Sequence, residues 1–143
     1  MKALYLAAAF LVAACAQEEE HGGEIWVQIL QPDNSEFVQA AREAAAQWDI
    51  CPGHKVHVIT EPMPNAATLA LVDASDPELK GHIGVTTLSA RRVKVSNTVP
   101  SDILPGLISH EFGHLLGHIT HTKSGIMKDG ITTPMTVSPE DCE

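Results

Sequence analysis

The stretch His110-Glu111-Phe112-Gly113-His114 constrains this chain more than any other. It lies in a segment with helical periodicity, where Leu104, Ile108, Phe112 and Leu115 fall on one stripe. On a helix, residues i and i+4 stand one turn apart on the same face, so His110 and His114 can offer two imidazoles to one ion. Glu111 is offset around the helix and can reach a water beside that ion without ligating it. A fold that uses these residues so keeps a helix here with one face open to a cleft. The five residues alone are moderately specific, because the pattern also arises by chance. Two surface histidines beside a solvated glutamate are the plain alternative. The surroundings weigh against it: four of the eight histidines lie between His110 and His121. A catalytic metal needs a third protein ligand, which His118 or His121 can provide. Imidazole donors and an open tetrahedral position make zinc the expected ion.

The remaining periodicities describe a small α+β domain. Apolar and β-branched runs predict strands over 25–30, 55–60, 69–74, 82–88 and 92–96. The turn Pro32-Asp33-Asn34-Ser35 supplies an N-cap for a helix to Trp48, with Phe37, Ala41, Ala44, Ala45 and Trp48 on its apolar face. Cys51-Pro52-Gly53 stops that helix. A second helix carries the histidines, with Ser101 or Asp102 as its expected cap, Pro105 in its first turn and Gly117 as its stop. Gly113 costs that helix about 1 kcal/mol against alanine, so close packing is its expected purpose. His54 and His57 are expected on a strand surface. The order is one strand, a helix, four strands and the second helix. Later strands lack crossover helices, so the sheet should be mixed rather than doubly wound. The expected fold is thus a mixed, twisted sheet of about five strands with two main helices.

Residues 1–15 read MKALYLAAAFLVAAC, a lysine followed by an apolar run too short to span a bilayer. The ending Val12-Ala13-Ala14-Cys15 resembles the lipobox of bacterial lipoproteins. That resemblance implies a signal over 1–14, lipidation of Cys15 and a tether over 15–23, with the folded domain over 24–143. The protein would then face the periplasm or exterior of a bacterial envelope, anchored by acyl chains. An ordinary secretory signal is the alternative. Of the three cysteines, Cys51 and Cys142 then remain, and an oxidising compartment favours one disulfide between them. Two free thiols are the other outcome. A net charge of −9 argues against nucleic acid as a partner. A monomer is expected. No ligand-spaced acidic run marks a calcium site.

His110, Glu111, His114, Gly117 and His121, followed by Met127 in Ser124-Gly125-Ile126-Met127, resemble the metzincin zinc proteases, matrixin-like branch. That family's pattern is H-E-x-x-H-x-x-G-x-x-H and a Met-turn. One departure stands out: the family's third histidine position holds Thr120, and His121 comes one residue later. A one-residue insertion in a loop costs little. The resemblance implies Zn²⁺ on His110, His114 and His121, with His118 as the alternative third ligand. It also implies Glu111 as general base towards a metal-activated water, and Met127 as a floor beneath the ion. The strand over 82–88 would be the edge beside the cleft, where a peptide substrate adds as a further strand. Residues 128–135 would line the pocket after the scissile bond. Residues 137–141 would begin a clipped C-terminal helix, in a short C-terminal subdomain. No inhibitory propeptide fits between Cys15 and Ile25. The single tyrosine is Tyr5, so no tyrosine of the domain would assist the oxyanion. Two other readings stay open: a non-catalytic zinc-binding or protein-binding lipoprotein of the same fold, and a different zincin using Glu140 as third ligand.

Overall fold

Period-two alternation shapes the first strand, β1 (Gly23–Ile29), which turns Ile25, Val27 and Ile29 inward and leaves Trp26 exposed. The computed structural model describes residues 22–143. The expected signal, the lipidated Cys15 and most of the tether lie outside the described residues. Gly22 and Gly23 belong to the fold rather than to a tether, because Gly22 N–H donates to Leu116 O and Gly23 N–H to Gly53 O.

After β1 come helix α1 (Ser35–Gln47), β2 (His54–Ile59), β3 (Ala67–Val72), β4 (Gly84–Thr87), β5 (Arg92–Ser96) and helix α2 (Leu104–Leu115). The strands form one sheet in the order β2-β1-β3-β5-β4. β2, β1, β3 and β5 run parallel, and β4 pairs antiparallel with β5. The fold is therefore α+β with a five-stranded mixed sheet and two helices, as the missing crossovers implied. β4 is shorter than the run 82–88 expected for it, and it forms one edge of the sheet. Among the described residues no helix is long and apolar enough to cross a membrane.

α1 and α2 pack on each other, with α1 also covering β2 and α2 lying along β4. The Asn34 side chain accepts from Phe37 N–H and caps α1, as the turn chemistry requires. All five residues expected on the apolar face of α1 are buried, although Trp48 begins a 3₁₀ turn just past the helix. α2 starts differently from expectation. Neither Ser101 nor Asp102 caps it; Ile103 holds the cap position, and Ile103 and Leu104 donate their N–H groups to Pro100 O. A main-chain turn thus replaces the side-chain cap, and Pro105 has no N–H to satisfy.

Gly113 does serve close packing. A Cβ there would overlap Met127 Sδ and come 2.9 Å from Trp48 Cζ2. Gly113→Ala should therefore lower stability by about 1–3 kcal/mol despite alanine's better helix propensity, because the site is already filled. A thermal or urea unfolding curve checks this; a variant more stable than the parent would show that Met127 moves aside freely.

The chain's end is tied to its middle by a Cys51–Cys142 disulfide across 91 residues. The expected C-terminal helix is a single 3₁₀ turn, Pro139–Cys142. Ser138 and Asp141 cap it reciprocally, each side chain bonding the other's main-chain N–H.

Candidate metal centre

α2 ends in a Schellman motif: Gly117 N–H donates to His114 O and His118 N–H to Gly113 O. Gly117 adopts φ 98°, which a side chain would disfavour. This turn reverses the chain just past the helix and brings His121 back over the face that carries His110 and His114. The ring centroids of these three histidines lie 4.8, 5.1 and 5.2 Å apart. One ligand nitrogen from each falls within 4.8 Å of the others, so the three could hold a metal ion.

Hydrogen bonding prepares two of these rings for ligation. His110 Nδ1–H donates to Ile126 O at 2.7 Å, and His114 Nδ1–H donates to His118 O at 2.8 Å. Carbonyls accept only, so both neutral rings carry the Nδ1–H tautomer and a bare Nε2. The two Nε2 atoms face each other at 3.2 Å. Facing lone pairs repel unless a cation sits between them. A proton is a poor candidate. Burial lowers His110 below the usual histidine range, and burial together with His110's charge lowers His114 to about 4. His121 is more exposed and lies 3.6 Å from the Asp129 carboxylate.

Glu111 lies behind this cluster at 4 % exposure. The Thr86 hydroxyl, from edge strand β4, donates to its Oε2 at 2.5 Å. Burial pushes the carboxyl up to about 7, and the Thr86 bond opposes that rise. A cleft of about 310 Å³ opens in front, between β4, α2 and the loop after Met127. His110, Glu111, His114 and His121 all line it. Ile83, Leu88 and Ile119 give it apolar walls. Of residues 128–135, Asp129, Gly130 and Ile131 reach it. Met127 is buried beside Gly113, the residue before His114 on α2.

The two candidates for third ligand are separated clearly. His121 joins the cluster, whereas His118 is buried against His54, with their Nε2 atoms 2.9 Å apart. Glu140 is exposed beside Ser138 and is not in the cluster. His54 is thereby a correction: expected on a strand surface, it is 6 % exposed, because it shares the inward face of β2 with Val56. That two-residue phase with Val56 was a usable signal of burial. His57 does sit nearer the surface, bonded to Glu24 and stacked on Trp26. Thr86 had no comparable signal, since its partner depends on how β4 meets α2. Asp141 is a further supporting residue. Its Oδ1 accepts from Ile126 N–H at 2.9 Å, and Ile126 O is the group that orients His110.

No protein-family model matches this chain, and no curated protein matches its sequence.

Proposed function

We propose that this protein is a zinc-dependent endopeptidase of the metzincin type, matrixin-like, with its metal on His110, His114 and His121. The observation that carries the reading is the pair of bare Nε2 atoms facing each other at 3.2 Å, each fixed by a main-chain carbonyl behind it. Tetrahedral zinc with bonds of 2.0–2.1 Å to imidazole places its ligand nitrogens about 3.3 Å apart. When bound, Zn²⁺ would polarise a peptide carbonyl and lower the pKa of water to about 7.

The chain's own groups supply the rest. Thr86 holds Glu111 Oε2, which leaves Oε1 as the free acceptor for a proton from the attacking water. Glu111 then returns that proton to the leaving amine. The outer edge of β4 offers unpaired main-chain groups along the cleft, where an extended peptide can add as a strand. Lipid on Cys15 would hold this activity at a bacterial membrane surface.

The test is metal content and chelation. The purified full chain should carry one Zn²⁺ and cleave an unfolded protein substrate, with cleavage lost to a chelator and restored by Zn²⁺. His121→Ala should weaken zinc binding more than about 100-fold, beyond the effect expected for an outer-shell residue. Full zinc affinity in that variant would overturn the ligand set. Zinc without any cleavage would favour the non-catalytic lipoprotein.

A further inference from the structure

We propose that His54 is a positioning residue for the metal centre, acting through His118. This rests on the zinc reading above. His54 Nδ1–H donates to Pro52 O at 3.0 Å, so the neutral ring presents a bare Nε2. His118 Nε2–H is then the donor across the 2.9 Å contact between the two rings. Both rings stack with Trp48, at centroid distances of 5.6 Å for His54 and 5.2 Å for His118. Trp48 is itself held by its Nε1–H bond to Ser109 O of α2. His118 is thus fixed at its ring by His54 and at its N–H by Gly113 O.

The remaining main-chain group of His118 is the carbonyl that orients His114. Three residues further on, the same loop carries His121. The buried imidazole pair is therefore one of the attachments of the turn between the second and third proposed ligands, and its anchor comes from β2, at the edge of the sheet opposite β4. Against the resembled family pattern, the one extra residue between Gly117 and His121 falls in this same turn. The His54–His118 bond gives the longer turn a second attachment and so limits its freedom.

The experiment uses the full chain and Zn²⁺ itself. Zinc affinity is read by competition with a chromophoric chelator, and ligand geometry by the absorption spectrum of the Co²⁺-loaded protein. His54→Phe keeps a ring against Trp48 but removes the acceptor. It should weaken zinc about tenfold and change the Co²⁺ spectrum. His54→Gln returns an acceptor and should recover most of the affinity. Leu79→Ala, a core truncation outside the centre, should lower the unfolding midpoint with affinity and spectrum unchanged. Wild-type affinity and spectrum in His54→Phe would overturn the proposal, as would affinities that simply follow the unfolding midpoints of all three variants. Should His54→Phe not fold, the unaltered chain still decides. Zn²⁺ should shift the ring nitrogen resonances of both His54 and His118, and an unmoved His54 overturns the proposal. No zinc uptake by the unaltered chain would overturn the zinc reading and this inference together.

Discussion

Glu111→Ala is expected to abolish peptide cleavage while zinc stays bound. General acid–base catalysis contributes about 10²–10⁴-fold, so the rate should fall at least about 100-fold. Zinc should remain because Glu111 is not among the clustered ligand nitrogens. The substitution is also safe for folding. It removes a carboxylate that burial disfavours, and Thr86, its partner, sits at the half-buried edge strand where its hydroxyl can turn to water or to Glu111 O. Measuring zinc content, unfolding midpoint and cleavage on one preparation separates the effects. Unchanged cleavage would sink the mechanism. Lost zinc would show that the carboxylate supports the ion rather than the water.

Removing the disulfide is expected to give the largest change in stability. Cys51–Cys142 closes 91 residues, which the chain-entropy model values at about 4–5 kcal/mol. For a domain of this size that corresponds to a fall in unfolding midpoint of about 10–20 °C. Cys51→Ala with Cys142→Ala, or reduction of the parent, should both show it. The effect should reach the metal centre as well. Cys142 follows Asp141, whose carboxylate takes the N–H groups of Ile126 and Ser138. Ile126 in turn presents its carbonyl to His110 Nδ1. A loosened tail should therefore free the ring of His110, and zinc affinity should fall with the disulfide. A reduced protein that keeps both its midpoint and its zinc would show that the capped turn at Ser138 holds the tail unaided.

Much of this fold was legible because its signals are local. The apolar spacing of α1, the capping turn over 32–35 and the apolar, β-branched run of β1 each depend on residues a few positions apart, and each element appears within two residues of where the pattern placed it. The cap of α2 was misread, because Pro100 O competes for the same N–H groups and a polar side chain nearby does not guarantee a cap. The length of β4 was overread, since only the residues that register against β5 become strand.

The candidate site divides in the same way. The chain's order of residues sufficed to put His110 and His114 on one helical face and Gly117 at the stop, because helix geometry and backbone strain act over a single turn. With Cys15 set aside by the lipobox resemblance, one disulfide or two free thiols were left for Cys51 and Cys142, and the fold forms the disulfide. Packing alone decided that His121 joins the cluster and His118 does not. It also decided that Thr86 holds Glu111, and that Asp141 and His54 stand behind the histidine cluster through Ile126 and His118. His54 and His118 are 64 residues apart, and Asp141 and Ile126 are 15 apart. Contacts at such separations depend on which sheet edge, loop and tail are brought together, and no local periodicity encodes that.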